Sequence, residues 1–453
     1  MSKNGRIIIG LGVTGFSIAR YFTARQIPFI MVDTQAQPTR LAEFQQLYPT
    51  VPVHLGPLNT DILCNCEQIA LSPGVPLSTP ELQTALQHGV EIVGDIELFA
   101  REVTAPVIAI TGSNGKSTVT SLVGEIAQQA ALSVAVGGNL GTAALDLLLD
   151  QPKAELFVLE LSSFQLETTT ALHPKAATIL NISADHCDRY PSMAEYIAAK
   201  QRIYCDAKTT VYNLEDTATA PAVINSEARV AFTLNQPTAA QWGLITVDNQ
   251  VWLAKGTEHL LPIDKIQLQG RHNLANALAA CALSEAVGIS WQAMQQALQQ
   301  FSGLPHRCQF VGESSGVRWI NDSKGTNVGA TIAALEGLGS PTQANIVLIA
   351  GGDGKDADFS PLLNFKDCLR AVILLGKDAA KLKAVFSPYL PCYLVQDLAS
   401  AVRMAGENAK SGDIVLLSPA CSSLDMFRNY AHRGELFSEL ALQWIDQHAK
   451  ENA

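Results

Sequence analysis

Short β-branched runs alternate with longer amphipathic stretches along most of the chain, which predicts βαβ units and parallel sheets. Three blocks each restart with a strand followed by a glycine-rich turn. The first opens with Ile7-Ile8-Ile9 and closes near Gly94. The second opens with Val107 to Ile110 and runs straight into a loop at Gly112, with a helix predicted from near Val119. The third follows Ser302-Gly303, with strands around Val317 to Ile320, Ile346 to Ala350 and Val372 to Leu375. Between roughly Thr217 and Pro262, residues rich in Ala, Thr, Gln and Asn predict short strands and turns rather than a linker. Neither repeats nor low-complexity tracts occur.

A chain of 453 residues is too long for one ordinary core, and about two to four domains are expected. A composition of 47% hydrophobic and 16% charged residues supplies packed cores and excludes a disordered chain. The net charge of -11 argues against a broad basic face for nucleic acid, although a few Lys or Arg suffice for a phosphate site. Nine cysteines show no metal-type spacing, Cys64 and Cys66 forming only a C-x-C, which points to reduced thiols in a cytoplasmic protein. Gly10, Gly12 and Gly15 interrupt the N-terminal apolar run, so no leader peptide is expected, and no stretch reaches the length of a membrane span.

Two glycine loops carry the chemistry. Gly10-Leu-Gly12-Val-Thr-Gly15 is a complete G-x-G-x-x-G after a strand, and Asp33 ends the next strand. A nicotinamide dinucleotide, another nucleotide diphosphate and a purely structural turn are all compatible with it, because glycines and a helix N-terminus suit any diphosphate. The second loop is Thr111-Gly112-Ser113-Asn114-Gly115-Lys116-Ser117-Thr118. Lys116 would reach β and γ phosphates, and a hydroxyl of Ser117 or Thr118 would ligate Mg2+. Ile110 stands where the general pattern has its first glycine, so the loop is shortened.

An ATP site needs a metal-binding acid on a neighbouring strand, and Leu156 to Ser163 places Glu160 at a strand end. A further strand, Ala177 to Ile182, leads to Asp185-His186-Cys187-Asp188, where His186 is a second metal ligand or a satisfied loop residue. Lys200, in Tyr196-Ile-Ala-Ala-Lys200-Gln-Arg-Ile, reads from pattern alone as a surface lysine on an amphipathic helix.

Taken together these segments resemble the Mur ligase family, which builds the peptide stem of bacterial peptidoglycan precursors. The match runs in order through Thr111 to Thr118, Gly138-Asn139-Leu-Gly141, Glu160-Leu-Ser-Ser-Phe-Gln165, Asn181 and Asp185-His186. It continues through His272-Asn273-Leu-Ala-Asn276, Gly303-Leu-Pro-His-Arg307 and Asn321-Asp322-Ser-Lys324. Ser72-Pro73-Gly74, Gly94 to Phe99, Gly351 to Lys355 and Ser418 to Asp425 extend the resemblance and imply D-glutamate as the incoming amino acid. The Asp-Asn-Pro-Arg-like segment of diaminopimelate- or lysine-adding members is missing, and Gln35 stands where an arginine is common.

The resemblance implies three α/β domains: a Rossmann-like UDP-binding domain over 1–97, a central P-loop domain over 98–303, and a Rossmann-like C-terminal domain over 304–453 for the amino acid and part of the nucleotide. It implies ATP and two Mg2+ ions, with Mn2+ an alternative, and UDP-N-acetylmuramoyl-L-alanine and D-glutamate as reactants of a monomeric cytoplasmic enzyme. By resemblance Lys116, Glu160, His186 and Lys200 are catalytic. Gly112 to Thr118, Asn276, Arg307, Asp322 and Lys324 hold ATP. Ser117 and Glu160 hold one metal, and Glu160, His186 and Lys200 as a carbamate the other. Val13, Thr14, Asp33, Thr34, Ser72, Gly74, Asn139, Ser162 and Gln165 bind the UDP-linked substrate. Thr326, Lys355, Ser423, Leu424 and Tyr430 form the D-glutamate pocket, although Tyr430 reads equally as core. Ligands spread over separate blocks imply domain closure. A folylpolyglutamate synthase, the alanine-adding Mur enzyme and a non-catalytic nucleotide-binding regulator are the rival readings.

Overall fold

The computed structural model describes residues 5–451 apart from 187–188, 223–225, 269 and 341. Two compact units are present: Met1–Ile182 with Ala194–Leu261 and Ala277–Ala297, and Ser183–Met193 with Pro262–Asn276 and Leu298–Ala453.

The first unit holds two sheets. Strands β1 (Arg6–Ile9), β2 (Phe29–Asp33), β3 (Val53–Leu55), β4 (Gln68–Leu71) and β5 (Glu91–Val93) are all parallel in the order β3-β2-β1-β4-β5. Helices cover both faces, so β1 can be apolar at consecutive positions. Ile8 points into one core with Met31 and Phe22, whereas Ile7 and Ile9 point into another with Leu63 and Leu82.

The second sheet contains β6 (Val107–Thr111), β7 (Val134–Gly138), β8 (Leu156–Glu160), β9 (Ala176–Ile179), β10 (Thr209–Asn213), β11 (Ala228–Phe232), β12 (Trp242–Val247), β13 (Gln250–Lys255) and β14 (Glu258–Pro262). Its order is β14-β13-β12-β11-β10-β9-β6-β8-β7. The expected strands and turns after Thr217 are the β11–β14 edge. There Asp248 and Asn249 take positive φ and close the tight antiparallel β12–β13 hairpin.

The two sheets of this unit share one core, in which Ile8, Phe22 and Phe99 join Ala109, Phe157 and Ile179. Phe99 and Phe157 meet edge to face at 5.2 Å. Polar ties accompany it: Glu97 accepts from the Thr170 and Ala171 amides at 2.6 and 2.8 Å, and Arg20 donates to Asp146 at 3.1 Å.

The second unit holds β15 (Gln309–Ser314), β16 (Val317–Asn321), β17 (Ile346–Gly351), β18 (Leu369–Leu375), β19 (Cys392–Leu394) and β20 (Ile414–Leu417), in the order β15-β16-β20-β17-β18-β19. Only β15 runs antiparallel among these pairs. Ile346, Leu348 and Ala350 face one core while Val347 and Ile349 face the other, so β17 is apolar throughout. Among the described residues no helix is long and apolar enough to cross a membrane.

Candidate active site

Strand β6 ends at Thr111, and the loop that follows is braced by Asn181. Ser113 N donates to Asn181 O at 2.9 Å and Asn114 N to Asn181 Oδ1 at 2.8 Å, while Asn181 Nδ2 donates back to Asn114 O at 3.0 Å. Gly115, at φ +81°, turns the chain into a helix spanning Lys116–Gln129. The helix therefore begins three residues before the expected Val119, because a left-handed glycine needs no further turn. Lys116, Ser117 and Thr118 consequently lie in its first turn, where amides and dipole favour an anion.

Lys116 Nζ donates to Gly112 O and Ser113 O, both at 2.9 Å. Lys200, on the helix Met193–Gln201, is not the surface lysine that the pattern predicted. It is 2% exposed, and its Nζ donates to Gly112 O at 2.9 Å and approaches Thr111 Oγ1 at 3.3 Å. The side-chain nitrogens of Lys116 and Lys200 thus meet on the Gly112 carbonyl oxygen.

Glu160 ends β8 beside this loop. Ser117 Oγ donates to Glu160 Oε2 at 2.6 Å and Asn139 Nδ2 to Glu160 Oε1 at 2.8 Å, and Glu160 is buried. Among the described residues no group of three or more His, Cys, Asp or Glu is arranged for a metal ion. The hydroxyl–carboxylate pair nevertheless fits Mg2+, which takes one or two carboxylates and fills its remaining positions with phosphate oxygens and water.

Around the first glycine loop, Asp33 Oδ2 accepts from Leu11 N at 2.6 Å and Oδ1 from Gln35 N at 2.8 Å, while Ser72 Oγ donates to Gly10 O at 3.2 Å. These side chains shape the loop. Gly15 sits so close to it that a Cβ there would lie 1.8 Å from Gly10 O. Val13, Thr34 and Gly74 are exposed at its mouth and Thr14 is half-buried. Gln165, expected at the substrate, is buried with both ends of its amide engaged. Oε1 accepts from Ser162 N at 3.1 Å and Nε2 donates to Asp95 Oδ2 at 3.1 Å. Asp95 is itself buried, and its Oδ1 accepts no hydrogen bond. Burial pushes this carboxyl up to about 6, opposed by the Gln165 amide and nearby backbone N–H groups.

In the second unit, Asn276 Nδ2 donates to Asn273 Oδ1 at 3.0 Å. Arg307, Lys324 and Thr326 are half-buried, and the Lys324 ammonium lies 3.9 Å from the Tyr430 ring centroid. Asp322 is buried, which pushes it up to about 6, although Ser418 Oγ donates to it at 2.7 Å and Cys308 N at 3.2 Å. Lys355 Nζ stands 3.3 Å from Asp185 Oδ1, whose other oxygen accepts from Asn327 Nδ2 at 3.1 Å. His186, at φ +55°, has Nε2 3.8 Å from Asp185 Oδ2. Ser423 is buried and Leu424 is 71% exposed. Cys187 and Asp188 lie outside the described residues.

Sequence reasoning gave no site role to Tyr196, whose hydroxyl lies 3.1 Å from Ser113 Oγ, or to Asn327 and Ser418. Asn181 and Ser418 were visible only as members of motifs. Tyr196 carried a signal in its helical spacing from Lys200, four residues on, which puts both on one face.

The model of the Mur ligase MurD-like N-terminal domain matches residues 4–94, that of the Mur ligase middle domain 110–284, and that of the Mur ligase glutamate ligase domain 306–421. UDP-N-acetylmuramoylalanine–D-glutamate ligase of Legionella pneumophila (strain Lens) is 50% identical over 441 residues, covering 97% of this chain and 99% of the relative. The protein of that name from Pseudomonas aeruginosa is 51% identical over 442 residues, covering 97% and 98%. Among solved structures, the MurF ligase from Thermotoga maritima in complex with ADP shares the fold, with a TM-score of 0.62, 15% identity and coverage of 100% and 97%.

Proposed function

This chain belongs to the Mur ligase family, and on that premise we propose that it is an ATP-dependent amide ligase joining D-glutamate to UDP-N-acetylmuramoyl-L-alanine. The observation that carries the chemistry is the Gly112–Thr118 loop, with Lys116 directed at it and the Ser117–Glu160 pair beside it. The named relatives supply the identity of the reactants.

A carboxylate oxygen of the UDP-linked alanine attacks the γ-phosphorus of ATP, and ADP departs. The amine of D-glutamate then attacks the acyl carbon of that mixed anhydride, inorganic phosphate leaves and the nitrogen gives up its proton. Both reactants of the first step are anions, so the protein contributes mainly charge neutralisation and alignment. Lys116 has a stem long enough to leave the loop carbonyls for the β and γ phosphates. Mg2+, with Mn2+ as an alternative, would be held by Ser117 and Glu160 and would neutralise phosphate charge. His186 and carbamylated Lys200 are the further metal ligands on this reading, by resemblance to the family.

Asn276 and Arg307 are assigned to the adenine and its surroundings, Asp322 to the ribose and Lys324 to phosphate. The D-glutamate side chain falls to Lys355, Thr326, Ser423, Leu424 and Tyr430. Lys355 already meets a carboxylate, that of Asp185, as an amino-acid carboxylate would be met. The UDP-linked substrate is assigned to the glycine-loop mouth at Val13, Thr14, Thr34 and Gly74, with Asn139 and Ser162. Asp33, Ser72 and Gln165 act through the backbone and neighbours that they hold. We place the enzyme in the cytoplasm as a monomer.

A phosphate-release assay with UDP-N-acetylmuramoyl-L-alanine, ATP, Mg2+ and a panel of amino acids tests this. Turnover is expected with D-glutamate and little with L-glutamate, L-alanine or diaminopimelate. Phosphate release with none of them, or preferentially with diaminopimelate, would overturn the assignment.

A further inference from the structure

One hydroxyl at the end of β20 occupies an unusual position. Ser418 is fully buried between Asp322, which follows β16, and Thr331, on the helix Val328–Leu338. Its Oγ lies 2.7 Å from Asp322 Oδ2 and 3.0 Å from Thr331 Oγ1, and Thr331 Oγ1 lies 3.2 Å from Ser418 O. Thr331 is also fully buried and Asp322 is 7% exposed, so this relay is essentially dry.

A single hydroxyl hydrogen can serve only one of the two acceptors. When Asp322 is ionised it can only accept, so Ser418 must donate to it, and Thr331 donates to Ser418 Oγ or to the Ser418 carbonyl. When Asp322 is protonated the chain can run the other way, Asp322 donating to Ser418 and Ser418 to Thr331. Ser418 and Cys308 N each take one lone-pair site on a different carboxylate oxygen. The Cys308 thiol hydrogen-bonds the same carboxyl, and because a carboxylate offers about four such sites, one is left for a ligand hydroxyl. The loop carrying Lys324 and Thr326 lies directly over the pair, since a Cβ on Gly325 would stand 2.7 Å from Asp322 Oδ2 and 2.8 Å from Ser418 Oγ.

We propose that Ser418 is a positioning residue for nucleotide recognition, its hydroxyl holding the Asp322 carboxylate in the orientation and charge state that receives a ribose hydroxyl. This rests on the reading that Asp322 takes the ribose. Among the described residues, the ionisable groups that face Asp322 include Arg307 and Cys308 beside it and Arg433 from the C-terminal helix. Arg307 and the Ser418 and Cys308 donors favour the carboxylate against its burial. Loss of the Ser418 donor lets Asp322 protonate at higher pH.

The test is calorimetric titration of the full chain with Mg-ATP and with Mg-2′,3′-dideoxy-ATP, across pH 5.5 to 8, for wild type, Ser418→Ala and Ser418→Cys. Ser418→Ala is expected to weaken ATP about tenfold at pH 7.5, as loss of a hydrogen bond to a charged group does. Its acid-side loss of affinity moves to higher pH, and dideoxy-ATP binds as it does to wild type. Ser418→Cys, with a weak donor of similar size, falls between and serves if the alanine variant folds poorly. Equal weakening of both nucleotides, or no change in either, overturns the positioning role while wild-type binding leaves the ligase reading intact. Failure of the wild type to bind ATP overturns both.

Discussion

Asp95 allows a stability prediction worked directly from its surroundings. Its carboxyl is buried at the start of the helix Asp95–Ala100, accepts from Gln165 on one oxygen and accepts nothing on the other. Burial raises it from 3.8 to about 6. Because the folded value lies above the unfolded one, the fold favours the neutral acid. The stabilisation tied to that proton is complete below about pH 4, declines as pH rises, and is gone above the folded value. A difference of about two units corresponds to roughly 3 kcal/mol between the two extremes, of which about 1.4 kcal/mol is recovered on going from pH 7.5 to pH 5. Asp95→Asn keeps an acceptor for Gln165 and cannot ionise. Any cost of its buried NH2 is the same at both pH values and cancels in the comparison. Melting of wild type and Asp95→Asn at pH 7.5 and pH 5 should therefore show the variant losing ground on acidification by roughly 1.5 to 2.5 °C relative to wild type. Parallel pH dependence of the two proteins would refute the reasoning, because it would mean that Asp95 titrates alike in the folded and unfolded chains.

Two further outcomes follow from the loops. Lys116→Ala removes a half-buried ammonium that donates to the loop carbonyls of Gly112 and Ser113; phosphate release should fall by about two to three orders of magnitude while the protein still folds, and preserved turnover would contradict the phosphate role. Gly15→Ala places a Cβ 1.8 Å from the Gly10 carbonyl oxygen, a backbone atom that cannot swing away. A loss of about 3 kcal/mol is expected in chemical denaturation, and an unchanged midpoint would contradict the close packing.

Much of this architecture was legible in the chain because parallel strands covered on both faces must be apolar without interruption. Ile7 to Ile9, Val107 to Ile110 and Ile346 to Ala350 announced themselves that way, and all are strands. The glycine loops were legible because their backbone demands are local. What could not be read depended on partners far along the chain. Lys200 looks like a solvent-facing lysine within its own helix; its burial is set by the carbonyl of Gly112, 88 residues away. Gln165 looks like a polar side chain free to meet substrate, yet its amide is consumed by Ser162 and by Asp95, 70 residues earlier. The helix start at Lys116 was missed for a different reason: whether a glycine turns left-handed is a local choice that residue type permits but does not dictate.

The core common to the first two sheets restricts how this molecule can change over time. Phe99 packs edge to face on Phe157 within a core common to both layers, so a sheet carrying a different specificity could not be grafted in as a cassette without leaving gaps or clashes against Phe157 and its neighbours. New preferences for the carrier of the growing peptide would have to arise by exchanging exposed loop residues such as Val13 and Thr34, one position at a time, over a foundation that stays put.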